Sequence, residues 1–159
     1  MTADTLQKRY ATDVPLKQMI TYRLARLHAK LNAQATRILK NNGDMTLMQW
    51  RILVMLDLYG IAPMARIVRD TEFDKGLLSR AAKTLAERGL IKSEVHESDH
   101  RQQLLSMTPE GRRMFDGAVQ PMRGRQNKLR SSMSNEQRDI MFDAFEKLER
   151  TIEEMETQQ

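Results

Sequence analysis

Residues 74–90 read DKGLLSRAAKTLAERGL, and both ends of a helix are written in them. Asp74 can accept hydrogen bonds from the free backbone N–H groups of a first turn, and Gly89 supplies the left-handed residue on which helices commonly stop. At 100° per residue, Leu78, Ala81, Ala82 and Leu85 share one stripe, while Gly76, Ser79, Arg80, Lys83 and Glu87 share the other. The inner stripe is small and apolar, as close packing on a neighbour requires. The outer stripe puts a glycine, a hydroxyl and two cations within about two turns, a set that suits a groove lined by base edges and phosphates. Many surface helices carry two outward cations, so the flanking sequence must decide whether this one reads DNA.

Immediately upstream, Thr46 and Gln49 form a capping box, and Trp50, Leu53, Val54 and Leu56 to Leu58 make the most apolar helix in the chain, which Gly60 ends. Pro63 is expected to open a short helix containing Ile67 and Val68 that breaks at Thr71, Glu72 and Phe73. Short helices, a tight turn and a further helix ending in glycine make a helix-turn-helix. After Gly89 the period changes to two. Ile91 and Val95 share one face, with Lys92, Glu94 and His96 on the other, and Leu105 and Met107 return beyond the polar stretch 97–103. That pattern predicts a β-hairpin with a charged tip, a wing.

Long helices are expected on both sides. Asp13 and Pro15 can start one whose apolar stripe is Leu16, Ile20, Leu24, Leu27, Leu31, Ala35 and Ile38, stopping at Asn41, Asn42 and Gly43. A stripe that long needs a partner element. Downstream, Thr108, Pro109 and Glu110 restart helix through a basic segment with a kink expected at Pro121. Ser134 and Gln137 then cap a last helix in which Met141, Phe145, Leu148, Ile152 and Met155 follow at the spacing of helices that associate.

The chain has 159 residues, a net charge of +5 and no cysteine, which excludes disulfides, thiolate metal sites and thiol chemistry. Residues 1–42 hold eight basic and two acidic side chains, residues 62–106 eight and seven, and residues 134–159 three and eight. Charge therefore points to pairing of the terminal helices more than to a basic reading face. No apolar run lies in residues 1–13, and none in the chain approaches the ~20 residues of a membrane span, so a cytoplasmic protein without membrane attachment is expected. His28, His96 and His100 are dispersed and no glycine-rich phosphate loop is present, so neither an enzyme nor a cofactor or metal site is expected.

From Ile67 to Gly111 the residues resemble the MarR family, the multiple antibiotic resistance type of winged helix-turn-helix regulator. The likeness lies in Asp74 to Arg80, in Leu85 to Ile91 (LAERGLI), in Asp99-His100-Arg101, and in Leu105, Met107, Thr108 and Gly111. It implies a mainly α fold with a small β-hairpin wing. The expected parts are an N-terminal tail and dimerisation helix (1–43), a winged helix-turn-helix (44–108) and C-terminal dimerisation helices (109–159). It also implies a cytoplasmic homodimeric repressor of a pseudo-palindromic double-stranded operator, released by a small aromatic or anionic effector. Arg80 and Ser79 are expected at base edges and Lys75, Lys83 and the backbone near Gly76 at phosphates. By position, Arg101 would enter the minor groove, held by Asp99 and flanked by His100. Arg23 and His28 are candidate effector contacts. Gly76 and Leu77 stand where the family commonly has small hydroxyl residues, and Ser93 and His100 where arginine is frequent, so a shallow salt dependence is expected. The competing reading is a helical adaptor whose winged domain binds a protein partner in place of DNA.

Overall fold

Thr46 and Gln49 satisfy each other's end of a first turn: the Gln49 amide donates to Thr46 Oγ1 at 3.2 Å, and the Thr46 amide to Gln49 Oε1 at 2.9 Å. This box starts α2 in the computed structural model, which describes residues 14–71, 73–95 and 103–157. In chain order the elements are α1 (Ile20–Asn41), α2 (Leu47–Tyr59), β1 (Ile61–Pro63), α3 (Met64–Thr71), α4 (Lys75–Glu87), β2 (Ile91–Val95), β3 (Gln103–Met107), α5 (Pro109–Ser131) and α6 (Asn135–Thr157). The result is mainly helical with one small antiparallel sheet.

Two starts differ from the sequence expectation. The long first helix begins at Ile20, because Leu16–Gln18 form a separate 3₁₀ turn and Met19 is extended (φ −63°, ψ 128°). Asp13 lies outside the described residues. Pro63 is the last residue of β1 and does not open the short helix, which starts at Met64. The strand was hidden because Ile61–Pro63 is only three residues long and gives no period-2 signal. It pairs with β3 (Ile61 opposite Ser106, Ala62 opposite Leu105), and β3 pairs with β2 (Ile91 opposite Met107, Val95 opposite Gln103). The hairpin thus belongs to a three-stranded sheet of order β1-β3-β2. Pro63 is tolerated there because β1 is an edge strand. Val95 also departs from the expected inner face, being exposed where Ile91 is buried, since by that point the strand has run past the core.

Residues 1–118 and 119–159 form two compact units. The core of the first is made by Leu39 of α1, Ile52, Leu53 and Leu56 of α2, Ile67 of α3, Leu78 and Leu85 of α4, Leu90, and Leu105 of β3. Burying a side chain of this size contributes about 1.5–3 kcal/mol, which makes this cluster the main source of the unit's stability. Val54 and Leu58 face outward from α2. Phe115 and Ala118 of α5 complete the same core. Helix α5 is continuous across Pro121, and the boundary between the units falls three residues before that proline. In the second unit, Ser134 and Gln137 form the expected box at the start of α6: the Ser134 amide donates to Gln137 Oε1 at 2.9 Å and the Gln137 amide to Ser134 Oγ at 3.1 Å.

Candidate nucleic-acid interface

Helix α4 starts where its capping residue predicts. The Leu77 amide donates to Asp74 Oδ1 at 2.8 Å, and the helix closes on Gly89 at φ +69°, a backbone conformation that only glycine adopts without strain. Leu78, Ala82 and Leu85 are buried and Ala81 half-buried, so one face is committed to the core. The opposite face presents Lys75, Ser79, Arg80 and Lys83, all exposed, with Gly76 between them. These five residues share one outward surface. Lys83 Nζ is 3.9 Å from Glu87 Oε1, an exposed ion pair too weak to immobilise it.

Gly76 has a local role beyond helix geometry. A Cβ there would lie 3.1 Å from Asp74 Oδ1 and 3.4 Å from Arg80 Nη1, so the missing side chain leaves room for the capping carboxylate and for the arginine folded back along the helix. Three further contacts that spacing could not reveal set the attitude of α4. Arg88, just beyond its last turn, donates to the Asp44 carbonyl at 3.0 Å and to Met114 Sδ at 3.8 Å, tying the helix end to the loop after α1 and to α5. In the turn before α4, the Arg51 guanidinium lies 3.9 Å from the centre of the Phe73 ring. Burial lowers the pKa of Arg51.

The first wing strand, β2, follows directly on α4. Thr108 Oγ1 donates to the Gly89 carbonyl at 2.7 Å and accepts from the Gly111 amide at 3.0 Å, so one hydroxyl joins the end of α4 to the start of α5. Asp99, His100 and Arg101 lie outside the described residues. Arg23 and His28 are both exposed on α1, where His28 Nε2 and Asn32 Nδ2 are 3.0 Å apart. They are not brought together with the α4 face in any described contact. Among the described residues no group of three or more metal-ligating side chains is gathered, and no helix is long and apolar enough to cross a membrane.

Comparison with known proteins agrees with this geometry. Residues 43–102 match the model of the MarR family. The HTH-type transcriptional regulator BilQ of Clostridium symbiosum (strain WAL-14163) is 30% identical over 80 residues, which are 50% of this chain and 56% of that protein. The chain thus spans about half the length of this curated relative. A MarR/EmrR family transcriptional regulator from Acinetobacter sp. ADP1 superposes with a TM-score of 0.78 at 20% identity, covering 89% of this chain and 99% of that one. The MepR–DNA complex of S. aureus superposes with a TM-score of 0.77 at 18% identity, covering 84% and 98%. At such identities the two structures speak for the fold. The segment 43–102, which carries the capping box, α4 and the first wing strand, is thus similar to the MarR family of transcriptional regulators, and the chain shares the winged-helix fold of solved regulators of that type.

Proposed function

We propose that the protein is a homodimeric, sequence-specific DNA-binding repressor that presents α4 of each protomer to the major groove. The observation that carries this reading is the two-sided character of α4, with Leu78 and Leu85 fully buried and Lys75, Ser79, Arg80 and Lys83 exposed on the other side. Arg80 can hold guanine O6 and N7 with two parallel hydrogen bonds, while Ser79 reaches a neighbouring base edge. Lys75, Lys83 and the amides at the helix start meet phosphates and set the register. In this reading Arg101, oriented by Asp99 and accompanied by His100, grips the minor groove beside each half-site.

Dimerisation is supported by apolar surface that one chain leaves uncovered. Ile20 and Leu27 of α1 are 56% and 50% exposed, and Ile152 and Met155 of α6 are 55% and 60% exposed. Uncovered apolar side chains concentrated on terminal helices mark an association surface. The excess of base in residues 1–42 and of acid in residues 134–159 favours pairing between such helices. In the same proposal a small aromatic or anionic effector, contacted by Arg23 and His28, releases the DNA. Loss of DNA affinity on adding a ligand that raises the melting temperature would identify one.

The test is a titration against a duplex selected from a randomised double-stranded library, beside a mixed-sequence duplex of equal length. Selective binding is expected, with the logarithm of the affinity falling linearly with the logarithm of salt concentration. Equal binding to both duplexes, or none to either, would overturn the proposal and favour a protein partner for the nearly neutral region 62–106.

A further inference from the structure

Helix α3 carries a side-chain cluster that the roles assigned to α4 and the wing do not use. Its centre is the Asp70 carboxylate. Oδ1 accepts from Arg69 Nε at 2.9 Å, and Oδ2 accepts from the Tyr59 hydroxyl at 2.9 Å and lies 3.5 Å from Arg66 Nε. The Arg66 guanidinium also stacks on the Tyr59 ring at 3.7 Å. Of the three charged members Asp70 is the most enclosed, with its side chain 22% exposed, against 44% for Arg66 and 73% for Arg69, and Tyr59 is half-buried. The Tyr59 hydrogen bond, and then that of Arg69, lower the Asp70 pKa, so the centre stays ionised and holds both cations.

Both arginines turn Nε toward the carboxylate. A guanidinium is a planar fork of five donors, so the Nη edge of each remains for a second acceptor. The solvent-facing residues of α3 are Ala65, Arg66, Arg69 and Asp70, which makes the outward surface of this helix little more than the arginine pair and the group that orients it. In a helix-turn-helix the first helix crosses the sugar-phosphate backbone while the second enters the groove. With α4 as the second helix, α3 is the first.

We infer that Arg66 and Arg69 form a pre-oriented clamp for phosphates of the DNA backbone, and that Asp70, braced by Tyr59, is its positioning residue. This rests on the DNA-binding reading of the preceding subsection. It also reconciles that reading with the charge of residues 62–106, where basic side chains outnumber acidic ones by only one. Local orientation of two forks supplies what net charge does not. An acidic side chain between two cations is a poor choice for a phosphate surface unless its task is to aim them.

That last point gives a test whose sign separates the alternatives. Asp70→Asn removes a negative charge next to DNA, so simple electrostatics requires tighter binding. The clamp requires weaker binding, by about three- to tenfold, to the selected and the mixed-sequence duplex alike, because phosphates carry no sequence information. Arg66→Ala and Arg69→Ala should each flatten the plot of log affinity against log salt by about 0.9, the value for one lost phosphate contact. Tyr59→Phe should weaken binding in the same direction as Asp70→Asn and by less. Arg66, Arg69 and Asp70 are exposed and Tyr59 is half-buried, and an unchanged melting curve separates loss of binding from loss of fold. Tighter or equal binding by Asp70→Asn, or unchanged salt slopes in both arginine variants, would overturn the clamp while leaving the DNA-binding reading standing. Failure of the unsubstituted protein to bind any duplex would remove both.

Discussion

The Trp50 indole and the Phe115 ring stack with centroids 4.8 Å apart and planes 20° from parallel, which fastens the start of α2 to the first half of α5. The same two helices are joined again by an ion pair between Asp57 and Arg112, whose guanidinium also lies 5.5 Å from the Phe115 ring centre. The apolar stack sits inward, with Phe115 buried, and the ion pair lies at the rim. Offset aromatic pairs are worth about 0.5–1.5 kcal/mol beyond area burial, and an exposed ion pair contributes at most about 1 kcal/mol. The rings therefore dominate this junction.

Phe115→Ala should accordingly cost about 3–5 kcal/mol in the first unit, the range for deleting a buried aromatic side chain. Asp57→Asn should cost less than about 1 kcal/mol. Urea denaturation followed by Trp50 fluorescence, the chain's only tryptophan, reports on both. Equal losses in the two variants would show that the ion pair, not the stack, holds the junction.

Gly111→Ala should be more damaging than helix propensity allows. Alanine in place of a helical glycine gains about 1 kcal/mol. Here, however, the added Cβ would lie 2.0 Å from the Leu90 carbonyl oxygen, a backbone atom that cannot step aside without moving the start of β2. A drop in melting temperature is expected, and a rise would show that the contact relaxes freely.

Gly76→Ala poses a contrasting case. The new Cβ would meet only side-chain ends, Asp74 Oδ1 at 3.1 Å and Arg80 Nη1 at 3.4 Å. Stability should change by less than about 1 kcal/mol, because the propensity gain offsets the crowding of the cap. Under the proposed function, Arg80→Ala should weaken binding to the selected duplex by about 1–3 kcal/mol and relax preference at one base pair, and Gly76→Ala should alter the same position. Competition binding with single-base variants of the duplex decides it.

Leu27→Glu on α1 and Ile152→Glu on α6 each put a charge on apolar surface that is exposed in one chain. If these faces join two copies, sedimentation equilibrium should show the variants shifted toward monomer at concentrations where the unsubstituted protein is dimeric, with helicity retained. An unshifted mass would remove these residues from the association surface.

Acid should release the arginine pair of α3. Because the folded pKa of Asp70 is depressed, chiefly by Tyr59 and then Arg69, its stabilising effect is present above the ordinary carboxylate pKa and is lost as pH falls through the lower, folded value. Tyr59→Phe should move the Asp70 titration upward, toward the usual carboxylate range. Carboxyl-carbon chemical shifts followed against pH measure this directly, and a titration unmoved by the substitution would count against the Tyr59 hydrogen bond.

The sequence by itself determined most of the local grammar. Asp74, Thr46 with Gln49, Ser134 with Gln137, and Thr108 toward Gly111 act through hydrogen bonds with backbone groups three residues away, and Gly89 through its own backbone angle, so their spacing alone specifies helix starts and stops. The two faces of α4 were legible for the same reason, since periodicity is a property of neighbouring residues. What only the tertiary structure decided depends on residues far apart in the chain. The pairing of Ile61–Pro63 with β3 joins positions more than forty residues apart, and it turned an expected helix start at Pro63 into a strand end. Arg88 against Asp44 and Met114, Trp50 against Phe115, and Tyr59 against Asp70 are likewise invisible to any local pattern, because a hydrogen bond or ring contact across the fold leaves no period in sequence. Local chemistry wrote the two faces of α4, and long-range packing decided which residues anchor that helix and the arginines of α3.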